Sequence, residues 1–256
     1  MKITLLGCGP SSGVPTTVGD WGNCDPENPK NYRRRPSIAL QKDGYTILID
    51  TSPDLRDQLL TSGIREIDAV LYTHAHADHI MGIDDLRVVQ RHMGRNISAY
   101  ATPEVLTSLK IRIGYLFSGI QNPESLYRPI LDPHEINGPI SIGEFENIIP
   151  IDQDHGICNS LGFRFGNFAY STDVVVLPEV SLNALKGIDT WIVDSLRDGK
   201  PHPTHANLKR TLEWIAFVKP RRTILTHMNF QADFAEMAKA CPDGVEPGYD
   251  GLVINI

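Results

Sequence analysis

Four apolar, β-rich runs of this chain end directly before a histidine or an aspartate. DAVLYT precedes His74, IIPIDQD precedes His155, FAYST precedes Asp173 and RTILT precedes His227. Such runs are typical of buried strands, and a sheet holds the side chains at its strand ends in a fixed geometry. Imidazole and carboxylate groups are typical ligands of divalent metal ions. The chain is therefore expected to fold around sheets whose strand ends carry a metal site.

Strand and helix patterns are mixed along the whole chain, which favours α/β layers over an all-β barrel. Further β-rich runs are KITLLG, SIAL, YTILID, ISAY, TWIVDS and GLVINI, and FRFGNFAYS is typical of a hairpin that turns at Gly166-Asn167. Because internal repeats, low-complexity tracts and long linkers are absent, residues 1–256 are interpreted as a single domain. Residues 112–140 are the least regular part, and they suit either a loop beside a site or plain connecting chain.

Three helices are predicted from their start and stop signals. SPDLRDQLLTSG ends at Gly63, and ATPEVLTSLK begins with Thr102 as the cap and Pro103 in the first turn. THANLKRTLEWIAFVKP is predicted to present one apolar face and to be ended by Pro220. The residues of that face are Leu208, Leu212, Ile215 and Ala216.

The segment YTHAHADHIMGIDDLR, residues 72–87, holds the pattern H-x-H-x-D-H in a chain with only 9 histidines. With this composition the pattern arises by chance with a probability of about 10⁻³ over the whole chain, so it needs a chemical explanation. Residues two apart in extended chain point to the same side, so His74 and His76 can converge on one ion. Asp78 and His79 lie one turn further on and can face a second ion.

Seven residues are the candidate metal ligands. The first ion is expected to take His74, His76 and His155, and the second to take Asp78, His79 and His227. Asp173, with two carboxylate oxygens, is expected to bridge the pair. These ligands suit Zn²⁺, Mn²⁺ or Fe²⁺, and the sequence does not choose among them.

These motifs, in this order, resemble those of the metallo-β-lactamase superfamily: H-x-H-x-D-H at 74–79, His155 in DHG, Asp173 in STDV and His227 in LTHMN. LLGCGPSSGVPT, RRRPSIAL and ILIDTSPDLRDQLL are more narrowly similar to its phosphodiesterase branch, which includes tRNase Z and the phosphoribosyl cyclic phosphodiesterase of phosphonate breakdown. The resemblance covers nearly the whole chain and implies an αββα sandwich with two divalent ions, Zn or Mn. It also implies a functional histidine at the position of His205, so the candidate catalytic residues are Asp78 and His205.

Departures from the superfamily's patterns narrow the expected activity. The zinc enzymes that open β-lactams carry cysteine at the position of Asp173, and flavodiiron relatives carry glutamate at that of His76, so neither activity is expected. tRNase Z enzymes usually insert an arm that grips the substrate between the third and fourth motifs, whereas His155 and Asp173 are only 18 positions apart (173 − 155). The phosphonate-pathway enzyme has an N-terminal cysteine cluster for a structural zinc. This chain has only Cys24 there, so that zinc is not expected.

Several residues keep more than one interpretation. Asp50, after YTILI, either supports the site from behind a ligand or caps the following helix, and capping is favoured. The glycines of Gly7–Pro15 either let backbone N–H groups approach a phosphate or form an ordinary turn. His202, just before a helix, is left open, and His92 and His134 are interpreted as structural.

The sequence predicts a phosphodiesterase that cleaves small cyclic phosphate or nucleotide diesters through a hydroxide bridging two metal ions. The alternatives are an ester, thioester or lactone hydrolase on the same fold, and a nucleotide-binding protein without turnover. A formal charge of −7 argues against a long nucleic acid or an anionic membrane as the partner, and a homodimer stays open. Four scattered cysteines and the lack of a signal-like apolar run lead us to expect reduced thiols and a cytoplasmic location.

Overall fold

The computed structural model describes residues 1–119 and 128–256. Its strands are β1 (Lys2–Gly7), β2 (Ser37–Lys42), β3 (Tyr45–Ile49), β4 (Ala69–Leu71), β5 (Ile97–Ala101), β6 (Leu131–Glu135), β7 (Ile140–Ile142), β8 (Phe145–Asp154), β9 (Asn159–Phe165), β10 (Phe168–Ser171), β11 (Thr190–Asp194), β12 (Arg222–Thr226), β13 (Val245–Pro247) and β14 (Val253–Asn255). Its helices are α1 (Leu55–Ser62), α2 (Ala77–Ile80), α3 (Leu86–Met93), α4 (Pro103–Ile113), α5 (Tyr115–Ser118), α6 (Glu179–Leu185), α7 (Leu208–Val218) and α8 (Phe234–Ala240). None of these helices is long and apolar enough to cross a membrane.

The strands form two seven-stranded sheets, and each sheet has an antiparallel half and a parallel half. The first sheet has the order β14-β1-β2-β3-β4-β5-β6, and the second has the order β13-β12-β11-β10-β9-β8-β7. Neighbouring strands are antiparallel from β14 to β3 and from β7 to β10. They are parallel from β3 to β6 and from β10 to β13. Ligand sites of open α/β sheets lie beyond the carboxyl ends of parallel strands, and the candidate ligands that follow β4, β10 and β12 occupy such positions.

Alternation along the strands decides which side chains fill each layer. In β3, Ile47 and Ile49 join the core between the two sheets, whereas Leu48 joins a second core on the outer face of the first sheet. Helices α1, α3 and α4 contribute to that outer core, and α6, α7 and α8 pack against the second sheet. The layers are therefore helix, sheet, sheet and helix, which confirms the predicted αββα sandwich.

Local signals located several elements correctly. β9 and β10 form the predicted hairpin, with Phe165 opposite Phe168 and Gly166 at a φ of 57°. α1 ends at Gly63, whose φ of 70° suits a residue without a Cβ. α4 begins after Thr102, whose hydroxyl accepts a hydrogen bond from a backbone N–H of the first turn.

The predicted apolar face of α7 was wrong in part. The buried residues of this helix are Leu208, Thr211, Trp214 and Val218, whereas Leu212 and Ile215 are half-buried and Ala216 is exposed. The helix is rotated so that the Thr211 hydroxyl donates a hydrogen bond to the carbonyl of Asp194 at 2.8 Å, a bond that an apolarity pattern cannot reveal. The helix ends at Val218, two residues before Pro220.

The interpretation of residues 112–140 as irregular chain was wrong where the structure describes them. The segment includes the end of α4, the short helix α5 and the edge strand β6. β6 has the sequence LDPHE, and all of its residues except Leu131 are exposed, so no alternation of apolar residues signalled it. Residues 120–127, which include Tyr127, lie outside the described part of the chain.

Candidate metal centre

The first group of donor atoms comes from four of the predicted ligands. His74 lies just beyond the end of β4, His155 directly follows β8, and Asp173 lies just beyond β10. His76 has an extended backbone and stands as the cap of α2. One ligand atom from each of these four residues lies within 4.8 Å of the others, which is close enough for a single metal ion.

The second group has the same size and shares one member with the first. The single turn of α2 carries Asp78 and His79, and β12 delivers His227. Their donor atoms and a carboxylate oxygen of Asp173 all lie within 4.8 Å of one another. The fold therefore brings all seven predicted ligands together in two adjacent groups.

The two oxygens of Asp173 face different groups. Oδ1 lies 3.4 Å from His155 Nε2 and 3.8 Å from His74 Nε2. Oδ2 lies 3.1 Å from His79 Nε2 and 3.3 Å from His227 Nε2. A carboxylate in this position can hold one oxygen toward each of two ions.

Three residues of the centre have a left-handed backbone. Asp50, Asp173 and His227 have φ values of 64°, 54° and 59°. Such values are uncommon for residues other than glycine, and they persist only when the surrounding structure holds them. Each residue follows a strand of a parallel pair, so the sharp change of direction occurs where each strand ends.

The chemistry of the buried nitrogens fits metal ions. His74 Nε2, His79 Nε2 and both ring nitrogens of His227 are buried without a hydrogen-bond partner among the described residues. Buried polar atoms normally have a partner, so these atoms need one that the protein itself does not supply. A divalent ion supplies that partner to the Nε2 lone pairs.

Partners behind the ligands orient several of the rings. Thr73 Oγ1 lies 2.9 Å from His74 Nδ1, Asp50 Oδ2 lies 2.7 Å from His79 Nδ1, and the carbonyl of Thr204 lies 2.7 Å from His155 Nδ1. A bond at Nδ1 fixes the tautomer and leaves Nε2 to face the metal.

The interpretation of Asp50 as a helix cap was wrong. Its carboxylate is fully buried and contacts the His79 ring, while Oδ1 accepts the backbone N–H of Thr73 at 2.9 Å. The residue that precedes α1 is Asp54, four positions later. The parallel pairing of β3 with β4 places Asp50 beside Thr73, and the backbone of Asp50 is left-handed, with a φ of 64°.

Burial and neighbouring charges together shift the pKa values of three residues in the centre. Burial, together with the neighbouring His79, lowers the pKa of His74 well below its ordinary value. At His79 burial acts in the same direction, but Asp173, Asp50 and Asp78 outweigh it and raise the pKa of this imidazole well above its ordinary value. The pKa of Asp173 is well below its ordinary value because the surrounding histidines outweigh its burial. The centre therefore favours ionised carboxylates with a cation among them.

His205 lies beside the second group. Its ring stacks on that of His227 at a centroid distance of 4.4 Å, and its Nε2 lies 3.9 Å from Asp173 Oδ1. Its Nδ1 lies 2.8 Å from Asp194 Oδ2. Burial lowers the pKa of His205, but the Asp194 carboxylate outweighs this and raises it to about 9.

Asp194 is a functional candidate that the sequence analysis missed. It is the last residue of β11, is fully buried, and accepts the backbone N–H of Val174 at 3.0 Å. Asp194, His205 and His227 form a third close group of possible ligands. Because Asp194 Oδ2 is already bonded to His205 and to Val174, we interpret the group as a carboxylate–histidine pair. The signal in the sequence was the aspartate that ends TWIVD, the same strand-end position as the predicted ligands.

The remaining candidates lie around this centre or outside it. His202 Nδ1 lies 3.1 Å from Thr204 Oγ1, so His202 stands beside a residue that orients His155. Arg112, at the end of α4, donates a hydrogen bond to the carbonyl of Ala75 at 2.9 Å, which brings residues 112–119 against the metal-ligand segment.

The segment Gly7–Pro15 packs closely against the backbone of residues 33–35. A Cβ added at Gly9 would lie 2.8 Å from the carbonyl of Arg33, and one at Gly7 would lie still closer to that of Arg35. These two glycines therefore permit a close approach of two chain segments. His134 stacks on Tyr100 at 4.6 Å, in keeping with a structural role.

Comparison with known proteins identifies the family of this chain. A family model described as a beta-lactamase superfamily domain matches residues 45–228, more than half of the chain. The chain belongs to this family. A crystal structure of a new diphosphatase from the PhnP family is similar over 99% of this chain and 96% of the other chain, with a TM-score of 0.90 and 35% identity.

Two curated relatives are matched over only part of their length. Octanoyltransferase of Porphyromonas gingivalis (strain ATCC BAA-308 / W83) is 33% identical, over 98% of this chain and 51% of the relative. Ribonuclease Z of Bradyrhizobium sp. (strain ORS 278) is 30% identical, over 68% of this chain and 56% of the relative. This chain spans about half the length of each. Family membership and the two donor groups together support a metal-dependent hydrolase with phosphodiesterase-like relatives.

Proposed function

We propose that this chain is a dinuclear metal-dependent phosphodiesterase that acts on small cyclic phosphate or nucleotide diesters. The observation that carries the proposal is Asp173, which places one oxygen in each of two donor groups. The first ion is held by His74, His76 and His155, and the second by Asp78, His79 and His227. Zn²⁺ or Mn²⁺ bound there supplies Lewis acidity and an activated water near neutral pH.

His205 protonates the leaving alkoxide in this proposal. The Asp194 carboxylate keeps its pKa near 9, so the imidazole carries a proton at neutral pH. Because Nδ1 of His205 is bonded to Asp194, Nε2 is the nitrogen that can donate a proton. Nε2 lies 3.9 Å from Oδ1 of Asp173, the residue that both donor groups share. A histidine with a proton to give, held beside the reacting centre, meets the requirements of a general acid.

A cavity beside His205 supports an anionic substrate. It has a volume of about 190 Å³ and is lined by His202, Lys209 and Arg210, with Glu213 as the carboxylate of the lining. Two cationic side chains, Lys209 and Arg210, stand there although the whole chain has a formal charge of −7. Such a cavity favours a small ligand that carries a phosphate over a neutral ester.

The absence of room for an arm supports a small substrate. Between His155 and Asp173 the chain consists of the short bend at 156–158, β9, the two-residue turn, β10 and Thr172. Both strands are paired within the second sheet, so this segment is too short to form an arm that grips a large RNA.

The second candidate is hydrolysis of an acyl ester or thioester at the same centre. The specific observation in its favour is the resemblance to octanoyltransferase, whose name describes a protein about twice the length of this chain. Attack on a carbonyl requires the same ligands, so the centre alone permits both reactions.

The two candidates are separated by substrates with a common leaving group. Protein loaded with Zn²⁺ or Mn²⁺ is assayed with bis(p-nitrophenyl) phosphate and with p-nitrophenyl octanoate, and octanoyl thioester is added as a third substrate. We expect kcat/KM to be highest on the diester and to require the metal. Faster turnover of the octanoyl substrates would replace the proposal with the second candidate, and metal-loaded protein without turnover would favour nucleotide binding alone.

A further inference from the structure

Arg33 is almost fully buried, and its guanidinium contacts the segment that follows His227. Nη2 donates to the carbonyl of Ala232 at 2.7 Å, and Nη1 donates to the carbonyl of Asn229 at 3.3 Å. Its other contacts are the side-chain oxygen of Asn31 at 3.0 Å and the sulfur of Cys24 at 3.8 Å. None of these acceptors is a carboxylate. A buried cation without a direct counter-ion is costly. The bonds from Arg33 to these carbonyls do not neutralise its charge, but they do hold the backbone that accepts them.

The same part of the chain holds residues 228–233 at further points. The backbone N–H of Met228 donates to the carbonyl of Cys8 at 2.9 Å, and that of Asn23 donates to the carbonyl of Phe230 at 2.8 Å. The Asn31 amide donates to Asp233 Oδ2 at 2.6 Å. Residues 8–33, which we call the N-terminal seat, therefore fix the position of residues 228–233. Arg33 is the one charged member of the seat that reaches two carbonyls of this segment.

The orientation of the His227 ring depends on its own backbone more than the orientations of the other histidine rings do. The rings of His74, His79 and His155 each have a partner at Nδ1, whereas neither nitrogen of His227 has a hydrogen-bond partner in the part of the chain that the structure describes. The φ of His227 is 59°, in the left-handed region, which requires support from the surroundings. Residues 228–233 supply this support, since they follow His227 directly and are held by Arg33.

We propose that Arg33 is a positioning residue for the second metal ion, because it fixes the backbone that aims His227. The forked guanidinium is suited to gather two carbonyls at once, whereas a lysine ammonium cannot match its planar geometry. Loss of a group that orients a ligand from behind typically lowers metal affinity about 10–100-fold. The effect is specific to the second ion, since the ligands of the first lie on other segments.

The experiment measures metal affinity at one site at a time. His76→Ala leaves the second donor group intact, and His227→Ala leaves the first. Arg33→Lys is introduced into each background, and the Zn²⁺ dissociation constant is measured by competition with a chelator. We expect Arg33→Lys to weaken Zn²⁺ binding about 10–100-fold in the His76→Ala background and to leave it unchanged in the His227→Ala background.

Arg35→Lys is the matched control. Its guanidinium pairs with Asp54 before α1 and, among the described residues, makes no hydrogen bond to residues 228–233, so neither affinity is expected to change. Thermal unfolding followed by circular dichroism separates positioning from stability. A lower Tm for Arg33→Lys with both affinities unchanged would overturn the proposal, as would equal weakening in both backgrounds.

Asn31→Ala is the second variant, for use where Arg33→Lys does not fold. It removes the amide that links Arg33 to Asp233 and is expected to weaken the second site alone. Failure of the His76→Ala protein to bind Zn²⁺ at all would also overturn the assignment. Because the readouts are metal binding and thermal unfolding, the result stands apart from whether the substrate is a phosphodiester.

Discussion

His205 and Asp194 form a hydrogen-bonded pair at the edge of the metal centre, with Nδ1 and Oδ2 2.8 Å apart. The same Asp194 oxygen accepts the backbone N–H of Val174, the residue after Asp173. One carboxylate thus connects the candidate acid to the backbone of the residue that directly follows Asp173, the member shared by both donor groups. This arrangement sets the position of His205 relative to Asp173, and the Asp194 carboxylate supplies the charge that favours the protonated form of His205.

Asp194→Asn is expected to move the pH dependence of turnover. The acid form of His205 is required, and the Asp194 charge raises its pKa to about 9. Without that charge the pKa falls, so the alkaline limb of the kcat/KM profile moves to lower pH, while the bound metal stays unchanged. Profiles of both proteins on an alkyl phosphodiester, with elemental analysis, check this. An unshifted alkaline limb would show that His205 is not the acid.

His205→Ala is expected to leave the metal content intact and to lower turnover about 10²–10⁴-fold, the usual contribution of a general acid. The loss should be largest for alkyl or ribose leaving groups, which need a proton, and smaller for p-nitrophenol, which does not. Steady-state kinetics on both substrate classes measure the difference. An equal loss on both would mean that His205 positions the phosphate instead.

Fully loaded protein is expected to hold two divalent ions per chain, as measured by elemental analysis after removal of excess metal. His76→Ala removes a ligand of one group only and should lower the content to one ion. Asp173→Ala removes the residue that both groups share, so it should deplete both. Asp132→Ala, at an exposed position, is the control and should retain two. A single ion in the unaltered protein would contradict the dinuclear proposal.

Lys209→Ala and Arg210→Ala are expected to raise KM for diesters whose leaving group carries a phosphate. The reason is that both side chains line the cavity next to His205. KM for bis(p-nitrophenyl) phosphate, whose leaving group is uncharged before cleavage, should change little, and kcat should be retained. Lys219→Ala, beyond the far end of α7, is the control. Equal changes in KM on both substrates would remove the cavity from substrate recognition.

Much of the architecture was predictable because its signals are local. The runs that became β3, β4, β10 and β12 carry their apolar residues within five or six positions, and the hairpin turn at Gly166-Asn167 lies between β9 and β10. The spacing of H-x-H-x-D-H likewise depends only on extended chain followed by a helical turn. β6 carried no such signal, because an exposed edge strand needs no apolar alternation.

The tertiary structure alone decided the residues that act from behind the ligands. Asp50 belongs to the centre because β3 pairs in parallel with β4, and Asp194 reaches His205 because β11 lies between β10 and β12. Arg33 meets the segment after His227 across separations of 196 and 199 positions along the chain. The sequence by itself determined which side chains stand at strand ends, since that follows from neighbouring residues. Which buried partner each of them meets depends on how strands far apart in the chain pair, and no local pattern records that pairing.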